Sequence, residues 1–307
     1  MEHIHGLTAA HLEQPSLVTI GVFDGVHRGH QHLIGQLVRE AHNHNQAAVV
    51  LTFFPHPAVV LRDIAERHYL TTPDERAHLL FDLGVDYVIT HPFDDSVRHI
   101  RATDFVDQLL DHVQMQALWV GADFALGYKR EGNVDFLRQQ GEAKGFSVEA
   151  LELLSNGSTI SSTAIRQALQ AGQVEQAAQW LGRAYTVAGK VVRGDQRGRK
   201  IGFPTANLAI WEQQIIPANG VYASWVWLNS ERYMAATNVG VRPTFDGVTL
   251  TVEPYMLDFD REIYGETLRV SFEKRLRGEQ KFNGISELVA QIGADAKASR
   301  AYLSDRR

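Results

Sequence analysis

The chain has 307 residues, 44% hydrophobic, 21% charged and 9% aromatic, with a net charge of −6. That length is enough for about two globular cores. The acidic balance argues against an extended nucleic-acid surface while leaving room for a small basic ligand pocket. The absence of cysteine excludes disulfides and thiolate catalysis.

Residues 1–6 show neither the basic start nor the apolar core of a secretory signal, and no window approaches the apolar length of a membrane span. A cytoplasmic protein is expected. Up to about residue 182, β-rich apolar runs alternate with helical patterns. Strands are predicted at 18–23, 47–53, 87–90, 118–121 and 147–151, and helices at 30–44, 73–83, 103–112, 133–144, 162–171 and 174–181. Strands separated by helices in this way predict βαβ units and a Rossmann-like α/β domain with a parallel sheet. Ligands bind such sheets outside the C-terminal ends of the strands.

After residue 185 the pattern changes. Strands are predicted at 187–192, 221–228, 234–238, 250–257 and 268–272, separated by Gly, Asn, Pro and Asp turns, with helices at 285–292 and 295–303. This predicts an antiparallel β-barrel with closing C-terminal helices. Pro254, inside one of these runs, points to an edge strand or a bulge. The joint at Leu181-Gly182-Arg183-Ala184-Tyr185 is short and divides the chain into domains 1–182 and 183–307.

The first chemically informative segment is Gly21-Val22-Phe23-Asp24-Gly25-Val26-His27-Arg28-Gly29-His30, a glycine turn between a strand and a helix. Glycines let backbone approach a ligand, and a helix N-terminus offers free N–H groups to an anion. His27 and His30 would add donors, so the turn fits a nucleotide-phosphate site. It also fits two surface or capping histidines. Half of a zinc site is the third reading, disfavoured because no cysteine or second cluster joins it.

Pro55-His56-Pro57 and Asp123 follow later strands at the same sheet edge and fit either a binding wall or plain turns. Ser161-Ser162-Thr163-Ala164-Ile165-Arg166 opens a helix with a capping hydroxyl and an arginine one turn in, a second anion cradle or an ordinary capped helix. In the second domain, Arg193-Gly194-Asp195-Gln196-Arg197-Gly198-Arg199-Lys200 is basic and glycine-rich. It leads into Ile201-Gly202-Phe203-Pro204-Thr205-Ala206-Asn207-Leu208. Such a loop can wrap phosphates, and the oxygens of Thr205 and Asn207 suit Mg²⁺; a solvated hairpin with a proline turn is the alternative.

Taken in order, the His-x-Gly-His turn, the Pro-His-Pro loop and Ser161 to Arg166 resemble the nucleotidyltransferase superfamily, and within it the bacterial FMN adenylyltransferase (FAD synthetase) branch. The second-domain string resembles the riboflavin kinase signature. Gly220-Val221-Tyr222-Ala223, residues 238–245, Glu253, Tyr264-Gly265 and residues 277–282 continue that match. The resemblance, to the bifunctional riboflavin kinase/FMN adenylyltransferase family, runs from about Val18 to Leu303.

It implies that His27 and His30 act on ATP phosphates. Gly21, Phe23, Asp24, Gly25, Ser161, Ser162, Thr163 and Arg166 complete that ATP site, and Pro55, His56, Pro57 and Asp123 meet the flavin. In the second domain it implies that Gly194, Gly198, Arg199, Gly202, Pro204, Thr205 and Asn207 bind ATP, that Thr205 and Asn207 hold Mg²⁺, and that Glu253 is the general base. Riboflavin, FMN, FAD and ATP are the implied substrates and products. No nucleic-acid or membrane partner is implied, and a monomer or weak homo-oligomer is expected. Two departures stand out: Phe54 replaces an acidic residue, and Ala164 stands where a basic one is frequent. The competing readings are a nucleotidyltransferase for another phosphorylated substrate and a catalytically silent flavin-binding regulator.

Overall fold

The structure, a computed structural model, describes residues 1–151, 160–194, 197–244 and 247–305. Asp195, Gln196 and Phe245, which belong to the motifs above, lie outside the described residues. The chain forms two compact units, one of residues 1–66 and 70–162, the other of residues 67–69 and 163–307.

The first unit carries β1 (Glu2–His5), β2 (Ser16–Ile20), α1 (Arg28–Asn43), β3 (Ala47–Phe54), α2 (Pro57–Arg62), α3 (Pro73–Phe81) and β4 (Tyr87–Pro92). It continues through α4 (Ala102–Val113), β5 (Met115–Gly121), the two-residue strands β6 (Ala125–Leu126) and β7 (Gly132–Asn133), α5 (Val134–Lys144) and β8 (Ser147–Leu151). Its main sheet has the order β1-β4-β3-β2-β5-β8 and every pairing is parallel. The central strands are buried on both faces, as apolar runs such as Ala47-Ala48-Val49-Val50-Leu51 require.

Alternation sorts their side chains. Val18, Ile20, Val49, Leu51 and Leu118 pack with Phe105, Val106 and Leu109 of α4 and Leu137 of α5. Leu17, Ala48, Val50 and Ala117 pack with Leu33, Ile34 and Leu37 of α1 and Leu80 of α3. The chain steps outward from β2 through β3 to β4 and then returns to β5 on the other side of β2. The order therefore reverses between β2 and β5, the place where open α/β sheets bind ligands.

The second unit carries α6 (Ser162–Gln170, whose first residue belongs to the first unit), α7 (Val174–Leu181), β9 (Tyr185–Val192) and the single turn α8 (Arg197–Lys200). Then follow β10 (Asn207–Ile210), β11 (Gly220–Leu228), β12 (Glu231–Thr244), β13 (Gly247–Met256), β14 (Thr267–Arg277) and α9 (Ile285–Ser304). The sheet order is β10-β9-β14-β11-β12-β13, antiparallel throughout. The two edge strands meet where Ala206 N donates to the Pro254 carbonyl at 3.0 Å, so the sheet curls into a nearly closed barrel. Pro254 thus sits on an edge strand, where a missing N–H costs no ladder bond. β11 is buried along almost its whole length; outside the barrel, Ala223 and Trp225 pack with Leu303 of α9.

Several sequence expectations need correction. The first strand ends at Ile20 rather than residue 23, because the chain turns through positive φ at Phe23, Gly25 and Val26. β1, α2 and β10 were not anticipated. β1 is an edge strand of alternating His and Ile types, and α2 is hidden behind its prolines. One continuous α9 replaces the two helices expected at 285–292 and 295–303. Gly293, between those two stretches, lies in the helix interior, where glycine costs about 1 kcal/mol. Packing on the barrel overrides it, along with the buried ion pair that Asp295 makes with Arg277 at 2.8 Å.

Candidate active sites

In the first unit, three loops leave the C-terminal edge of the sheet side by side: residues 21–27 after β2, 55–56 after β3 and 122–124 after β5. His27 is the N-cap of α1. Its Nδ1 accepts from the His30 backbone N–H at 3.3 Å, closing the first turn. The His27 and His30 rings stack with centroids 3.5 Å apart, and Phe23 meets His30 edge-on at 5.2 Å. Gly29 leaves room for this arrangement, since a Cβ there would press on the His27 ring at 3.2 Å.

Burial keeps both imidazoles neutral. It pulls the His27 pKa down to about 4, and it pulls His30 well below its ordinary value, helped by repulsion from His27 whenever that ring is protonated and by the charge of Arg76. A neutral His27 whose Nδ1 accepts a hydrogen bond must carry its proton on Nε2. It is a donor at neutral pH. His30 Nδ1 is buried with no hydrogen-bond partner among the described residues.

Asp24 is buried, and its carboxylate accepts from Leu70 N at 3.0 Å and from Thr71 N and Thr71 Oγ1 at 3.1 Å. Its carbonyl accepts from Ser162 Oγ at 2.9 Å. Asp24 therefore braces the turn from behind. Beneath the same turn, Arg76 NH1 donates to the Val22 carbonyl and Thr52 Oγ1, both at 2.9 Å.

In the second unit, Thr205 stands between two cavities. The larger, of about 630 Å³, is lined by Thr205, Asn238, Glu253, Tyr255, Arg277 and Leu288 among others. The smaller, of about 260 Å³, is lined by Arg199, Pro204, Thr205, Met256, Phe259 and Tyr264 among others. Glu253 is half-buried on β13, directly across from Asn238 on β12. Asn207 packs so closely on Gly194 that any Cβ there would overlap its amide. Gly198 and Gly202 shape the tight turn before Pro204, where the Gly198 carbonyl accepts from Phe203 N at 2.9 Å.

A family model described as FAD synthetase matches residues 9–164, and one described as riboflavin kinase matches residues 181–303. The chain belongs to the bifunctional riboflavin kinase/FMN adenylyltransferase family. Relatives bearing that name include those of Listeria monocytogenes (38% identical, covering 94% of this chain and 92% of the relative) and Escherichia coli K12 (37%, 97% and 96%). That of Bacillus subtilis is 35% identical and covers both chains fully. A crystal structure titled as a macrolide-efflux protein from Streptococcus pneumoniae superposes with a TM-score of 0.89 at 31% identity, covering 98% of this chain and 99% of that one. Among the described residues of this chain, no helix is long and apolar enough to cross a membrane.

Set against the family's two domains, the anticipated residues fall into two sets. Gly21, Phe23, Asp24, Gly25, His27, His30, Ser161 and Ser162 lie in the first unit, as do Pro55, His56, Pro57 and Asp123. His56 caps α2, its Nδ1 accepting from Ala58 N at 2.9 Å, and Asp123 is exposed. Thr163 and Arg166 belong to the second unit, where Arg166 Nε donates to the His68 carbonyl at 2.6 Å. The riboflavin kinase set, Gly194 to Asn207 with Glu253, lies wholly in the second unit.

Sequence reasoning missed Arg76 and Thr71, and named Asn238 and Arg277 only within the riboflavin kinase match, with no role in the site. For Arg76 a signal was present: with Ala77 and Leu80 it occupies the buried face of α3, where a solvated arginine does not belong. The others become part of a site only through strand pairing and loop contacts distant in sequence.

Proposed function

We propose that residues 183–307 phosphorylate riboflavin with ATP to FMN, and that residues 1–182 adenylylate FMN with a second ATP to give FAD and pyrophosphate. In the kinase step the 5′-hydroxyl of riboflavin is a poor nucleophile, so a base beside it is required. Glu253 lines the larger cavity and not the smaller, which supports a reading with riboflavin's ribityl end in the larger, ATP in the smaller and the transferred phosphoryl group at Thr205 between them. Glu253 takes the hydroxyl proton as the oxygen attacks the γ-phosphorus, and ADP leaves.

Thr205 and Asn207 fit a hard cation. Both offer neutral oxygen donors, and the Asn207 amide rests in a cradle that a side chain at residue 194 would fill. Bound there with ATP, Mg²⁺ would neutralise charge on the phosphates. With only two protein oxygens, its remaining positions would go to water and phosphate.

In the adenylyl step the nucleophile is a phosphate oxygen of FMN, already anionic, and no strong base is needed. The work is positioning and charge stabilisation. His27 offers its Nε2 proton and α1 its open N-terminal N–H groups, while Asp24 and Ser162 hold the turn in place. Pro55, His56, Pro57 and Asp123 form the flavin side of this site. The protein acts in the cytoplasm as a monomer or weak homo-oligomer, without a nucleic-acid partner.

The observation that carries this reading is that the turn with His27 and His30 lies in one compact unit and Thr205, Asn207 and Glu253 lie in the other, each covered by its own family model. Glu253→Gln is expected to abolish FMN formation while leaving conversion of supplied FMN to FAD, and His30→Ala to do the reverse. Chromatography of the flavin products measures both. Equal loss of both activities in either folded variant refutes the division of labour.

A further inference from the structure

Arg76 is fully buried, 0% exposed, on the inner face of α3. Its NH1 reaches the Val22 carbonyl and Thr52 Oγ1 at 2.9 Å and the Phe53 carbonyl at 3.3 Å. Thr52 Oγ1 in turn donates to the Val22 carbonyl at 2.8 Å. These acceptors lie where β2 and β3 run into two loops of the adenylyl-transfer site. A guanidinium keeps its charge when buried and is costly to desolvate. Packing alone does not call for it, because a methionine would fill similar space between Ala77, Leu80 and the sheet.

The turn above has a charge problem. It buries the Asp24 carboxylate, and it must also accept a triphosphate. Its two imidazoles are held neutral by burial and so bring donors without charge. Arg28, next along the chain, is exposed, where solvent weakens its field. The charges acting on the stacked pair are Asp24, which favours protonation of His27, and Arg76, which opposes protonation of His30.

We propose that Arg76 is a positioning residue for ATP in adenylyl transfer, its buried guanidinium fixing the Val22 and Phe53 carbonyls and setting a permanent positive charge beneath the phosphate turn. This rests on the adenylyl-transfer reading of the first unit. A charge acting through a low-dielectric interior is felt well beyond hydrogen-bond range, so Arg76 can favour the triphosphate without touching it.

The test uses the full chain with Arg76→Gln and Arg76→Lys, measuring KM for ATP and kcat in FMN adenylylation and in riboflavin phosphorylation on the same samples. Arg76→Gln is expected to raise the adenylylation KM for ATP by about tenfold, to change kcat less, and to leave the kinase constants unchanged. Arg76→Lys, which keeps the charge but not the fork, is expected to keep KM within about threefold of wild type. Histidine NMR of Arg76→Gln is expected to show His30 titrating at higher pH than in wild type.

A folded Arg76→Gln with wild-type KM and unmoved His30 overturns the inference. So does an Arg76→Lys variant as impaired as Arg76→Gln, which would leave the guanidinium a purely hydrogen-bonding role. If Arg76→Gln does not fold, the Lys variant decides alone, with a near-wild-type KM supporting the inference and a tenfold rise refuting it. A wild-type chain that forms no FAD overturns the adenylyl-transfer reading itself; wild-type FAD formation with an unmoved KM in Arg76→Gln overturns only the role of Arg76.

Discussion

Acidification should loosen the first unit in part through His27, and the size of that contribution follows from its burial. In the unfolded chain an imidazole titrates near 6.5; in the fold burial holds His27 at about 4, with only 4% of the residue exposed. Below pH 6.5 the unfolded state binds a proton that the folded state refuses. The stabilisation is therefore complete above pH 6.5 and is lost as pH falls from 6.5 towards 4. For a shift of that size, going from pH 7 to pH 5 removes about 2 kcal/mol.

The control variant is His27→Asn, which replaces the Nδ1 acceptor with an amide oxygen that can still cap the His30 N–H and removes the titrating group. Hydrogen exchange of the buried β3 amides, followed at both pH values, reports the opening free energy of this unit without contribution from the barrel. Wild type is expected to lose about 2 kcal/mol more than His27→Asn between pH 7 and pH 5. Parallel losses in the two proteins, or a His27 ring proton titrating near 6.5 by NMR, would refute the argument that this imidazole is neutral because it is buried.

Asp24→Ala strips the acceptor from the buried Leu70 and Thr71 N–H groups and is expected to cost about 2–4 kcal/mol; the same exchange measurement reads the loss, and FAD formation should fall while FMN formation persists. Gly194→Ala would drive a methyl into the Asn207 amide and is expected to lower riboflavin phosphorylation at least about tenfold with FAD formation from FMN unchanged, measured by flavin chromatography. Unchanged kinase activity there would mean that the Asn207 cradle does not matter to the reaction.

The sequence was most legible where a local pattern decides the outcome. Alternating and continuous apolar runs marked the strands that became β2, β3, β5 and β11, and the switch to short turn-bounded strands after residue 185 marked the barrel. It misled where distant contacts outvote local preference. The helical pattern breaks between residues 292 and 295, yet α9 runs through because the barrel surface and the Arg277–Asp295 pair hold both halves in line. Strand ends moved for the same reason: β12 and β14 extend well past their apolar stretches because partner strands supply the hydrogen bonds.

For the first site the difference is one of role rather than position. Local sequence identified Asp24 and His27 as residues of the turn, but what they do depends on groups far away in the chain. Asp24 serves the backbone at residues 70–71, and His27 is a neutral donor because its surroundings exclude water. Arg76 lies further still from the motif and resembles any surface arginine in composition; only its position beside Ala77 and Leu80 marks it as buried. On the proposed role of Arg76, the turn specifies its donors locally, while the charge that makes those donors effective is set by the packing of a helix some fifty residues later, where no motif is written.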